Sequence, residues 1–307
     1  ITQEDTSNWN SSGELQTLSI SNDTIFLTNG SFVKLPNVSG GKTYVQLFDN
    51  VTDAEADSIL ASDFGPNTQF VYITNTTNLT TVDLSGISSL LELKIENNSA
   101  LTAINGTSSI KRISQTFTVM NNTLLEGLNF DNLEKLGDFD YNGNSQINAI
   151  NFPSLIYAAN ISVRNSMLNS VSLSALESIR NISFEDNTEL SSINLSALET
   201  CDDITIYSST SLTNLDLFSL QSSGYLSIYN SALTNLDLSA LQSSQSLGIY
   251  GNSALTSIDL SALQNVENGN DPLGNGLHID NNSALTSIDL SALQNVESNL
   301  YIHSNSA

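Results

Sequence analysis

Four aspartates recur at one repeat position in the C-terminal part of the chain. They are Asp216, Asp237, Asp259 and Asp289, and each lies between two apolar residues of a short alternating run. If the runs stack, the four carboxylates share one outward face and repel one another. A Ca²⁺ ion would relieve that repulsion, although a calcium site needs about six to eight oxygens and no EF-hand loop is present. The alternative is a solvated acidic face with raised carboxyl pKa values.

Three tyrosines, Tyr207, Tyr229 and Tyr250, end successive alternating runs. The residues two positions earlier are small: Thr205, Ser227 and Gly248. Such a ladder offers apolar ring faces and hydroxyls, so it could contact a sugar ring or a neighbouring subunit. The competing interpretation is that cross-strand tyrosine pairs only stabilise a sheet.

Asn-x-Ser/Thr sequons recur at two repeat positions. Asn75, Asn97, Asn121 and Asn281 fall in a polar turn after an apolar run, whereas Asn160 and Asn181 fall just before one. Surface turns accommodate N-glycans, so these six residues are predicted glycosylation sites if the source is a eukaryotic secretory pathway. A repeat rich in Asn, Ser and Thr would also generate such recurrence without any glycan.

The remaining chemistry-bearing residues give no catalytic or metal constellation. Cys201, the single cysteine, shares a column with Ile179, Val266 and Val296 and is predicted to be a buried small hydrophobe. His278 and His303 occupy different columns. No GxGxxG, Walker A, GxSxG or HExxH motif occurs, and the Asp column has no Lys or Arg nearby to stabilise a transition state. The protein is therefore predicted not to be an enzyme and to need no cofactor.

A repeat positions all of these residues. Aligned starts fall about every 22 residues from Val71 to Leu300, within the range expected for leucine-rich units. Each unit holds two alternating runs, which predict two strands with one side inward. Stacked coils bury that side together, and the longest step contains the Gly/Asn/Pro-rich insertion 267–276.

The repeat L-x-I-x-x-N-x-x-L-x-x-I-x-L-x-x-L-x-x-V, seen at 277–296, resembles the receptor L-domain type of leucine-rich β-solenoid. The resemblance covers about residues 71–307. It implies a fold shared with growth-factor receptor ectodomains and with fungal GPI-anchored cell-wall proteins. The chain lacks the cysteine-rich modules of the receptors, so growth-factor binding is not carried over.

The ends of the chain depart from the repeat. Residues 1–44 are predicted to form a cap with an irregular first coil, and 45–307 the all-β solenoid. Thr52 and Glu55 have capping-box spacing, which predicts a short helix over 52–61 that stops at Gly65-Pro66. The start at Ile1 without Met indicates a processed chain, and the end within a repeat leaves open an anchor or further domains beyond Ala307.

Composition narrows the choice of partners. The formal net charge is −24, from 8 Lys and Arg against 32 Asp and Glu, and no basic residue follows Arg180. Nucleic acids and anionic lipids both favour basic surfaces, so neither is an expected partner. No apolar run reaches the ~20 residues of a membrane span.

We therefore expect a non-enzymatic extracellular or cell-surface protein with a structural or adhesive role, built as a rigid solenoid. Its expected partners are other copies of itself, matrix or cell-surface components, and glycans. The alternative is a monomeric module that binds a carbohydrate or protein ligand. Ice binding is a weaker third idea, because the outward columns mix Ser, Asn, Asp and Ala rather than presenting regular Thr.

Overall fold

The computed structural model describes residues 40–267 and 276–305, preceded by the backbone of four short strands. These four strands form an antiparallel sheet in the order β1-β2-β3-β4. Their bounds are β1 (Ser7–Trp9), β2 (Leu15–Ser21), β3 (Thr24–Leu27) and β4 (Phe32–Lys34). They fall within the predicted N-terminal cap, 1–44, whose other residues up to 39 lie outside the described part of the chain.

The described chain from residue 44 onward is an all-β parallel solenoid of about 11 coils of roughly 22 residues, as predicted. One side of every coil contributes to a long parallel sheet of 15 strands within the described ranges. These strands are β5 (Tyr44–Asp49), β6 (Phe70–Thr76), β8 (Ser89–Leu90), β9 (Glu92–Glu96), β11 (Arg112–Met120), β12 (Lys135–Asn142), β14 (Tyr157–Arg164), β16 (Ser178–Glu185), β18 (Thr200–Tyr207), β20 (Ser222–Tyr229), β22 (Ser243–Tyr250), β24 (Asn265–Val266), β25 (Gly276–Asp280), β27 (Asn295–Val296) and β28 (Asn299–His303).

The second alternating run of each coil forms a three-residue strand on another side of the solenoid. These strands pair in three short parallel sheets. Their bounds are β7 (Thr81–Asp83), β10 (Ala103–Asn105), β13 (Ala149–Asn151), β15 (Ser170–Ser172), β17 (Ser192–Asn194), β19 (Asn214–Asp216), β21 (Asn235–Asp237), β23 (Ser257–Asp259) and β26 (Ser287–Asp289).

The core is a continuous stack of equivalent apolar side chains. In the coil that begins with β20, the inward residues are no more than 1% exposed: Leu226, Ile228, Leu233, Leu236, Leu238 and Leu241. Those that lie in strands pair in register with the same position of the next coil, as Leu226 does with Leu247 and Leu236 with Ile258. Burying one such side chain contributes about 1.5–3 kcal/mol relative to leaving it exposed.

Two local features depart from the regular coil. Helix α1 (Asp53–Asp63) begins after the N-cap Thr52, and Thr52 and Glu55 form the predicted reciprocal capping box. The helix ends two residues later than predicted, just before Gly65. A 3₁₀ turn (Thr107–Ser109) lies in a neighbouring coil. Of the predicted insertion 267–276, residues 268–275 lie outside the described part of the chain.

Candidate functional site

The outward face of the long sheet carries three parallel columns of side chains. Strand β18 illustrates the arrangement: Ile204 and Ile206 point into the core and are fully buried, whereas Asp203, Thr205 and Tyr207 point outward. The pairing of each coil with the next keeps these columns in register along the stack. The column of Thr205 contains small residues over several coils: Ser162, Ser183, Thr205, Ser227 and Gly248.

The predicted tyrosine ladder lies along one side of this small-residue column. Tyr207, Tyr229 and Tyr250 pair in register on consecutive coils. The rings of Tyr207 and Tyr229 are 5.9 Å apart and tilted by 59°. Those of Tyr229 and Tyr250 are stacked, with centroids 4.5 Å apart and an 18° angle between planes. Stacking occupies ring faces, so this pair stabilises the sheet and presents mainly ring edges to solvent.

The aromatic contacts continue further than the sequence indicated, because Gly248 leaves room for the Tyr250 ring. A Cβ at Gly248 would collide with that ring, which therefore lies over the small-residue column. There it approaches His278 at 6.2 Å, and His278 contacts Tyr301 edge-on at 4.8 Å. We call Tyr207, Tyr229, Tyr250, His278 and Tyr301 the aromatic strip. Its two ends are the most exposed, Tyr207 at 45% and Tyr301 at 47%.

On the other side of the small-residue column runs a ladder of amides and carboxylates. Asn160 Nδ2 donates to Asp138 Oδ1 at 2.5 Å, and the Asn181 amide lies 2.7 Å from that of Asn160. With its nitrogen toward Asp203, the Asn181 amide donates to that carboxylate at 3.1 Å. The strands begin earlier than predicted, so Asn160 and Asn181 are half-buried strand residues and do not precede the strand as the sequence suggested.

The other four sequon asparagines are exposed, and Asn97, Asn121 and Asn281 lie in the predicted turn, whereas Asn75 lies near the end of β6. Asn75, Asn97, Asn121 and Asn281 all have a left-handed backbone, with φ between 55° and 58°. Equivalent residues of other coils include Gly143, Asn165, Asp186, Asn230 and Gly251, also at positive φ. Asn, Asp and Gly tolerate this conformation best, so the turn accounts for the recurrence without any glycan. Glycan occupancy stays a prediction.

The residue after this turn forms a buried asparagine ladder, which the sequence analysis did not single out. Asn98, Asn122, Asn144, Asn187, Asn252 and Asn282 are at most 1% exposed. Asn122 Oδ1 accepts from the Asn98 backbone N–H at 3.2 Å, and Asn122 Nδ2 donates to the Ile95 carbonyl at 2.8 Å. Each rung thus satisfies backbone groups that the turn leaves unpaired. The sequence feature that could have revealed this ladder is the Asn that recurs about every 22 residues in the repeat.

The Asp column caps turns. Asp237, Asp259 and Asp289 each accept a hydrogen bond from the backbone N–H of the serine two residues later, at 2.9–3.0 Å. The expectation of raised pKa values is wrong for Asp289, because the Ser291 hydroxyl and then the Ser291 N–H hold the pKa of that carboxyl below its ordinary value. Asp216 has Phe218 at the serine position, and that ring is half exposed.

No group of three His, Cys, Asp or Glu residues across 40–267 and 276–305 is arranged to hold a metal ion. Asp216, Asp237, Asp259 and Asp289 therefore do not form such a group. His278 and His303 lie in different columns, as predicted, and His303 Nδ1 is 2.8 Å from Asp280 Oδ1.

Cys201 is buried in the predicted column, in register with Ile179. Burial, and then the nearby charges of Asp203 and Asp202, raise the pKa of its thiol to about 12. A thiol with such a pKa is almost entirely protonated near neutral pH, which makes it a weak nucleophile.

These features define a leucine-rich-repeat-like β-solenoid. No protein-family model matches the chain, and no curated protein matches it. Among solved structures, it is similar to the functional domain of InlJ from Listeria monocytogenes, a domain described as including a cysteine ladder. That match has 17% identity and a TM-score of 0.28, and it covers 66% of this chain and 55% of the other. The pairing within this chain, rather than that likeness, is the basis for the fold.

Proposed function

We propose that this protein is a non-enzymatic structural or adhesive component of a cell surface or extracellular matrix. The supporting observation is the unbroken parallel sheet from β5 to β28, which makes the described solenoid a stiff support for the aromatic strip. Within the described residues, no helix is long and apolar enough to cross a membrane. We include in this proposal that the repeat resembles the receptor L-domain type of solenoid and the repeats of fungal cell-wall proteins.

The charge of the chain favours a partner over side-by-side packing of copies. At −24, two copies repel each other along their lengths.

Two specimens viewed by negative-stain electron microscopy test this proposal: material purified from the native source, and the Tyr207→Ala/Tyr229→Ala/Tyr250→Ala variant. We expect rods that associate with matrix or cell-surface fragments, and loss of that association in the variant. A Tyr157→Ala control keeps the strip intact and should behave as wild type, since Tyr157 is a similarly exposed residue of the same sheet. Dispersed globular particles, or association unaffected by the triple substitution, would contradict the proposal.

A second candidate function is a monomeric ligand-binding module. The observation that favours it is the small-residue column, which lies between the aromatic strip and the amide–carboxylate ladder and is half-buried at Ser183 and Thr205. Dispersed rods that bind a soluble ligand saturably would favour this candidate.

A further inference from the structure

We propose that the outward face between strands β16 and β22 docks a lysine- or arginine-rich segment of a partner protein. The inference rests on the proposed function, because it names the partner chemistry of the same aromatic strip.

The first argument is the distribution of charge along the chain. Residues 181–307 contain 14 Asp and Glu and no Lys or Arg. Their positive counterpart must therefore come from the first 180 residues, from solvent ions or from another molecule. Complementary charge favours encounter with a basic partner and disfavours an acidic one.

The second argument is a cation that the protein itself seats on this face. In the early coils, Lys94 Nζ lies 4.7 Å from the centre of the Tyr72 ring and 3.5 Å from Glu92 Oε2. The Tyr72 hydroxyl also donates to Glu92. Desolvation alone would lower the pKa of Lys94, but the Glu92 charge and Tyr72 offset it, and the pKa is raised. An ammonium group is thus stabilised by a ring and a carboxylate on the outward face.

The later coils place a carboxylate and aromatic rings around the same column without a lysine, but their rings lie in the two flanking columns, whereas Tyr72 lies in the column of Lys94 itself. The column of Lys94 continues to Ser183 and Thr205, which are both half-buried, whereas Ser227 in the next coil is only 6% exposed. Asp203 occupies the position two residues before Thr205, as Glu92 does before Lys94. Tyr225 pairs with Asp203, and Tyr207 lies on the other side of Thr205. A lysine stem laid along this column would meet a carboxylate and aromatic rings, as the stem of Lys94 does.

An adjoining cavity of about 340 Å³ adds carboxylates to this position. Asp202, Asp203 and Glu267 line it together with Tyr225, and Asp202 and Glu267 are exposed. A long lysine or arginine side chain can extend its charged group into this cavity while its stem lies against the half-buried Thr205. An amino-sugar polymer has no such stem, so a basic protein segment fits better.

The part of this face from β18 to β22 contains no N-glycosylation sequon. The sequons stop at Asn194 and resume at Asn281, so residues 195–280 contain none. Tyr207, Tyr229 and Tyr250 all lie in that interval.

The test is fluorescence anisotropy with a labelled octalysine peptide, an octaglutamate peptide and a glucosamine oligomer, at roughly physiological salt. We expect saturable binding of octalysine alone. Asp202→Asn/Asp203→Asn should weaken it about tenfold. The control Asp237→Asn/Asp259→Asn changes net charge equally on another side of the solenoid and keeps the turn-capping oxygens, so it should weaken binding less than about twofold.

Tyr207→Ala should weaken binding about threefold, and Tyr207→Phe should retain it because a cation needs only an accessible ring face. Equal losses in the two Asn pairs, or tighter binding of the glucosamine oligomer, would overturn the inference. Microscopy of the native material is a separate readout, so rods that associate but ignore octalysine would refute the docking site and leave the proposed function standing.

Discussion

Removing one rung of the buried asparagine ladder should destabilise the protein more than removing any exposed turn residue. Asn122 is fully buried. Its Oδ1 accepts from the Asn98 backbone N–H and from Asn98 Nδ2 at 3.2 and 2.9 Å. Its Nδ2 donates to Ile95 and Met120 carbonyls at 2.8 and 3.0 Å. Asn122→Ala abolishes about four hydrogen bonds and leaves backbone groups buried without partners, so we expect a loss of ~3–5 kcal/mol in the free energy of unfolding.

The matched control is the adjacent residue, Asn121. Its side chain is exposed and donates to Asn97 at 3.0 Å, and its φ is 55°. Asn121→Gly keeps the left-handed backbone accessible and should cost no more than about 1 kcal/mol. Urea denaturation followed by circular dichroism measures both variants. Because a repeat array can unfold in steps, hydrogen exchange of the Asn98 amide should also be measured and should accelerate in Asn122→Ala. Equal stability losses in the two variants would refute the ladder's role.

Three further predictions concern single residues. Ser209 occupies a position of the buried asparagine ladder, and its buried Oγ has no hydrogen-bond partner within the described part of the chain. Ser209→Asn should therefore increase the free energy of unfolding by about 1 kcal/mol, as measured by urea denaturation. A loss of stability would contradict this prediction. Cys201 in the folded protein should resist a thiol reagent at pH 8, because burial raises the pKa of its thiol to about 12, and it should react once urea unfolds the chain. Rapid stoichiometric labelling of the folded protein would contradict its burial. The pKa of Asp289 is lowered on folding, so the stability that this residue contributes is present above its unfolded pKa and is lost as the pH falls through its folded pKa. Carboxyl NMR should show that the Asp289 pKa is raised in Ser291→Ala. An unchanged pKa would show that Ser291 is not the cause.

The sequence predicted the features that depend on apolar periodicity. A strand that slips by one residue turns its apolar side chains to solvent, so the pattern sets the register and, with it, the tyrosine ladder. The helix was predictable because the capping box of Thr52 and Glu55 is local.

The features that sequence reasoning missed depend on backbone conformation and on neighbours in space. The recurrence of Asn97 and Asn121 indicated sequons, whereas a left-handed turn suffices to explain it. The Asp column suggested a shared cation, but Asp237 and Asp259 each turn toward a serine of their own coil. The aromatic strip extends to His278 because Gly248 has no side chain, a contact between columns that spacing alone does not reveal.

In the proposed function, the aromatic side of the outward face makes the protein's contacts. Hydroxyl-radical footprinting tests this most directly, by comparing Tyr207 with Tyr157, whose exposures of 45% and 41% are nearly equal. The comparison is made in the purified monomer and in intact material from the native source. We expect Tyr207 to become protected in the intact material while Tyr157 stays reactive. Equal reactivity of Tyr207 in both preparations would contradict it.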